Sequence, residues 1–116
     1  MAATWQDVRA VAQTIDKHEE TTSYGTPAFK VSGNLFVRQH QDGKSLVVAA
    51  DFEQRDEMMA ADPKTYYITD HYTNYPWVLV SMARIKPDAL RDLLRGAARF
   101  ALANKKTTKP AKRKRR

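Results

Sequence analysis

Cysteine is absent from the 116-residue chain, which excludes a disulfide frame, a thiolate nucleophile and a thiolate metal site. Glycine is scarce. Its four residues, Gly25, Gly33, Gly43 and Gly96, lie too far apart to cradle a phosphate. The three histidines, His18, His40 and His71, lack the close pairing of a zinc site. No apolar run approaches the roughly 18 residues needed to cross a membrane. The opening MAATWQDVRAVAQ has no basic segment followed by an apolar core, so it does not read as a secretory signal. These absences predict a soluble, cytoplasmic protein, taken as a monomer, with no metal and no cofactor.

What the chain has in excess is positive charge, a formal net of +7, and it is unevenly placed. Lys105, Lys106, Lys109, Lys112, Arg113, Lys114, Arg115 and Arg116 crowd a C-terminal tail with no acid. The first 104 residues hold 12 Lys/Arg against 13 Asp/Glu, a net of −1. Basicity therefore belongs to the tail. The division is one domain over 1–104 and a basic tail over 105–116, which is expected to be disordered alone because it has almost no apolar content.

Within the domain, Trp5, Val8, Val11, Ala12 and Ile15 recur at helical spacing, and Thr4 with Asp7 resembles a capping box, so 4–16 reads as a helix. Residues 16–22 turn acidic and polar and read as the end of that helix. Tyr24-Gly25-Thr26-Pro27 reads as a turn. Residues 28–31, 35–40 and 45–50 read as three strands, the last two joined through Asp42-Gly43. Asp51 is the expected cap of a second helix over 51–61, with Phe52, Met58 and Met59 as its apolar contacts and Pro63 as its stop. Residues 65–68 and 77–84 read as two further strands, and 86–104 as a third helix with Leu90, Leu93, Leu94, Ala97 and Ala101 on its inner face. The order α-β-β-β-α-β-β-α predicts an α+β, two-layer domain with an antiparallel sheet of about five strands and three helices on one face.

Between the last two strands lies the densest aromatic stretch. Five of the 11 aromatic residues fall between Tyr66 and Trp77, in TYYITDHYTNYPWVLVSM. Alternation sends Trp77, Leu79 and Ser81 to one face of a strand and Val78 and Val80 to the other. Tyr72 and Tyr75, flanking Thr73-Asn74, are then the rings expected at the surface.

Several local patterns together resemble the YjbR/MmcQ family. They are Glu19-Glu20-Thr21-Thr22-Ser23-Tyr24-Gly25-Thr26-Pro27-Ala28-Phe29-Lys30, then Asp62-Pro63, Thr69-Asp70-His71-Tyr72 and Tyr75-Pro76-Trp77-Val78. The resemblance spans about 5–103 and implies a compact fold like that of bacterial frataxin. Family members are often labelled DNA-binding. The resemblance supplies no catalytic residues, and the basic tail departs from the family domain.

Candidate chemistry is sparse. His71 stands beside Asp70, which could orient one ring nitrogen for a base or metal role; a histidine hydrogen-bonded into a loop is the favoured reading. Asp51, Glu53, Asp56 and Glu57, at a helix start whose dipole suits acids, and Glu19-Glu20 read as solvated surface in preference to a metal site. The preferred function is a non-enzymatic DNA-binding protein. The tail cations would contact phosphates without sequence preference. Arg91, Arg95 and Arg99, at helical spacing on one stripe, and the rings of Tyr72 and Tyr75 would add to that surface. The alternative is a small-molecule or protein-binding pocket lined by Tyr24, Phe29, His71, Tyr75 and Trp77, near the Gly-Thr-Pro turn and the aromatic loop.

Overall fold

The computed structural model describes residues 3–103. Helix α1 spans Trp5–Ala12 and opens on the expected capping box, in which Asp7 Oδ2 accepts from the Thr4 amide at 2.9 Å. It stops one turn earlier than the apolar spacing predicts. The Thr14 hydroxyl donates back to the Val11 carbonyl at 2.6 Å, and Thr14 and Ile15 pair their amides three residues back, which tightens and ends the coil.

Six strands follow: β1 His18–Ser23, β2 Thr26–Val31, β3 Asn34–Gln39, β4 Ser45–Ala49, β5 Tyr66–Tyr67 and β6 Trp77–Ser81. They form one antiparallel sheet in the order β1-β2-β3-β4-β6-β5. Strand β1 corrects the expectation that 16–22 only ends the first helix. It pairs with β2 along its whole length, from His18↔Val31 to Ser23↔Thr26. An edge strand of mostly exposed side chains carries no alternating apolar signal. Tyr24 and Gly25 join the two strands with φ of +55° and +80°, as a two-residue hairpin requires. Strand β5 is shorter than expected, and the irregular register between β2 and β3 leaves Phe36 as an extra residue, a β-bulge.

Helix α2 spans Phe52–Ala61 and helix α3 spans Pro87–Ala103. The α+β class with three helices is as expected; the sheet has six strands because of β1. Helices α1 and α3 pack together over one sheet face. Phe29, Val31, Val37, Leu46, Val48, Val78 and Val80 point there and meet Val8, Ala12, Leu90, Leu94, Ala97 and Ala101. A fully buried side chain of this size contributes about 1.5–3 kcal/mol. Helix α2 instead lies by β5 and β6, so the opposite sheet face is left to loops. Residues 105–116, and the disorder expected of them, lie outside the described residues.

A candidate binding cleft on the open sheet face

Register decides which side chains reach the open face. Arg38 pairs with Val47, Val47 with Leu79, and Ala49 with Trp77, so these residues share the face opposite Val37, Val48 and Val78. The segment joining β5 to β6 crosses this face. It carries a single 3-10 turn, Asp70–Tyr72.

The segment is held from below by a residue that its type hides. Arg55 of α2 is 4% exposed. Its Nη1 donates to the carbonyls of Tyr72, Tyr75 and Trp77 at 2.9, 2.8 and 3.2 Å, and its Nη2 donates to that of Thr73 at 3.2 Å. Its guanidinium also lies 4.8 Å from the centre of the Phe52 ring. A planar five-donor fork can gather four carbonyl oxygens from an irregular loop; an apolar side chain cannot. Phe52, Met58 and Met59, expected as the inner contacts of α2, are only half-buried, and Arg55 is the buried member.

The result is a cleft of about 540 Å³. Strands β3, β4 and β6 supply Leu35, Arg38, Val47 and Trp77. The crossing segment supplies Thr69, His71, Tyr72 and Tyr75; the first hairpin supplies Ser23 and Tyr24; the β3–β4 connection supplies His40 and Gln41. Trp77 is buried in the floor, while Tyr24 is 79% exposed at the lip. The His71 ring is exposed. It stacks on Tyr75 at 5.9 Å and 16° between planes, and meets Tyr72 edge-on at 4.7 Å. Among the described residues it makes no hydrogen bond to Asp70, so the orienting carboxylate suggested by Asp70-His71 is not in place.

Tyr72 is not the surface ring expected from the loop. It is 6% exposed, and its hydroxyl accepts from Arg38 Nη2 at 2.7 Å. Arg38 is itself 5% exposed and lies 5.0 Å under the Tyr24 ring. Its Nη1 donates to Gln39 O, Thr26 Oγ1 and Gln41 Oε1 at 3.2, 3.4 and 3.4 Å. Arg38 and Arg55 are the residues that sequence reasoning missed. The one available signal, for Arg38, was a charge directly following the apolar run Leu35-Phe36-Val37.

Of the five residues expected to form a pocket, Tyr24, His71, Tyr75 and Trp77 line the cleft. Phe29 does not. Its side chain is buried on the helix-covered face, stacked 5.5 Å from Trp5. Two adjacent strand residues face opposite ways, and Ala28, not Phe29, pairs with Arg38.

Arg91, Arg95 and Arg99 are all exposed along α3, and Arg91 sits 3.3 Å from Asp92 and 3.7 Å from Asp88. This helix covers the other sheet face, so the stripe and the aromatic cleft do not form one surface. The tail cations from Lys105 to Arg116 lie outside the described residues. Asp51 caps α2 by accepting from the Gln54 amide at 2.7 Å, and Glu53, Asp56 and Glu57 are exposed. Among the described residues, no three His, Asp or Glu side chains gather as a metal site would need. Among them too, no helix is long and apolar enough to cross a membrane.

Two carboxyls have shifted ionisation. Partial burial pushes the Asp42 carboxyl up, but amide hydrogen bonds from Lys44 and Ser45, with His40 alongside, hold it below the usual range. The Glu20 carboxyl is lowered by its hydrogen bond from Arg9, at 2.7 Å. Burial raises the Tyr66 hydroxyl, with Asp62 adding to the rise.

Comparison with known proteins agrees with this fold. A search of curated proteins gave no match. Among solved structures, the chain is similar to a Deinococcus radiodurans protein whose crystal structure carries a domain classed DUF419. The two share 26% identity with a TM-score of 0.73, over 90% of this chain and 81% of that one. The YjbR family model matches residues 14–97. That span runs from β1 into α3 and includes every residue lining the cleft, and on this match the chain belongs to the YjbR family.

Proposed function

We propose that this YjbR domain is a ligand-binding module and that the cleft on its open sheet face is the site. The observation that carries the proposal is the composition of that cleft. An apolar floor of Leu35, Val47 and Trp77 meets the aromatic faces of Tyr24, His71 and Tyr75, while Arg38, Gln41 and the Tyr72 hydroxyl converge on the same space. Concave sites with an apolar lining and a few convergent polar groups are the usual form of small-molecule sites. The volume, about 540 Å³, suits a small metabolite or a single peptide side chain.

The test is a ligand-observed NMR screen of a small-molecule library against the full chain and a Val47→Trp variant. Indole at position 47 would occupy the cleft. Hits that bind the wild type and are lost in a folded Val47→Trp protein support the proposal. A screen whose hits bind both proteins equally overturns it.

A second reading, a DNA-binding protein, is supported by the exposed stripe of Arg91, Arg95 and Arg99 and by the cations that follow it in sequence. Such a protein would hold phosphates by counterion release, without using the cleft. Titration with duplex DNA at several salt concentrations tests it, with the full chain and a 1–104 truncation. Affinity that falls with salt and with truncation supports it; absence of binding by either protein at low salt removes it.

A further inference from the structure

The cleft contains one permanent charge, and that charge is buried. The four hydrogen-bond acceptors around the Arg38 guanidinium are Thr26 Oγ1, the Gln39 carbonyl, Gln41 Oε1 and the Tyr72 hydroxyl, and all are neutral. Among the described residues no carboxylate lies within ion-pair distance of it, and no Asp or Glu lines the cleft. A cation removed from water without a counter-ion is costly, and neutral acceptors offset that cost only in part. Three of its four bonds are 3.2–3.4 Å long and go to neutral acceptors; an anion would replace them with shorter bonds to a charged acceptor.

A second feature points the same way. Tyr24 occupies a left-handed position, φ +55°, where Asn or Gly would sit with less strain. Its ring gains no burial in return. It stands 79% exposed at the lip of the cleft and stacks 5.0 Å from the Arg38 guanidinium. Across the cleft, Tyr75 and His71 present a second stacked pair.

From these features we infer that the cleft takes a small planar aromatic anion, whose carboxylate or phosphate pairs with Arg38 while its ring lies against Tyr24 or Tyr75. The inference rests on the cleft being the binding site and adds the chemistry of what enters it. Guanidinium edges match both acid groups, since each offers two oxygens to two N–H donors.

The full chain is titrated by amide NMR with benzoate, phenyl phosphate, benzamide and cyclohexanecarboxylate. One or both aromatic acids are expected to shift amides around the cleft and to bind at least about tenfold more tightly than benzamide, as a charge-assisted pair implies. Which acid binds better identifies the acid group. Arg38→Gln should bring the acids down to the benzamide level and leave benzamide unchanged. Because Arg38 is buried, a second variant guards against misfolding. Tyr24→Asn, at an exposed turn, should weaken the aromatic acids towards cyclohexanecarboxylate. If benzamide binds in the cleft as tightly as benzoate, and Arg38→Gln changes neither, the charge inference is wrong while the cleft remains the site. If none of the four compounds shifts an amide lining the cleft, the inference is overturned, and the library screen alone decides whether the cleft binds anything else.

Discussion

Removing Arg55 is expected to be among the most damaging single changes in this domain. Its guanidinium gathers four carbonyl oxygens, of Tyr72, Thr73, Tyr75 and Trp77. At about 1 kcal/mol net for each hydrogen bond, Arg55→Met forfeits about 4 kcal/mol before relaxation. Two effects reduce this. Thr73 is exposed and water can reach its carbonyl, and a buried guanidinium no longer has to be desolvated. The expected loss is about 2–4 kcal/mol, a large share of the roughly 5–15 kcal/mol that holds a domain folded. Arg55→Lys should lie between, since an ammonium has three donors for four acceptors. Urea denaturation measures both. Amide exchange should also rise first between residues 69 and 77, because that segment would lose its anchor to α2. A loss below about 1 kcal/mol for Arg55→Met would refute this reasoning, because the four bonds would then be dispensable.

Further outcomes follow from the same geometry. Tyr24→Asn relieves about 1 kcal/mol of left-handed strain and gives up about 0.5–1 kcal/mol of contact with Arg38; stability in urea should change little while aromatic-acid affinity falls, and a large loss of stability would mean the ring is structural. Gly96→Ala should stabilise by about 0.5–1 kcal/mol in a thermal melt, because a methyl group there meets only Arg99 Nη2, at 4.0 Å. The Asp42 carboxyl ionises below its ordinary value of 3.8 once folded. Its contribution is therefore present above that value and lost as pH falls through the lowered one. Asp42→Asn should flatten that acid limb of a stability-against-pH curve, and an unchanged limb would place the cause elsewhere.

What the sequence made legible follows from where each signal comes from. Helix α3 was plain because Leu90, Leu93, Leu94, Ala97 and Ala101 share one face and bury it. Strands β4 and β6 were plain because buried strands are apolar on both faces. Strand β1 was hidden because its stability comes from the β2 backbone and not from its own side chains, which are mostly exposed. The two arginines that build the cleft were hidden for a related reason. A charge reads as solvated surface until the partners that bury it are known, and those of Arg38 and Arg55 include Tyr72, 34 and 17 residues away. Closeness to the Gly-Thr-Pro turn in sequence suggests a pocket position for Phe29. Face is set by strand register, and register sends it to Trp5.

The most direct test of the cleft as the binding site is an amide shift map of the full chain with a bound aromatic acid. The expected perturbations fall at Ser23 and Tyr24, from Arg38 to Gln41, and from Thr69 to Trp77, the three segments that converge on the cleft. Perturbations confined to α3 around Arg91, Arg95 and Arg99, with the cleft amides unmoved, would contradict it.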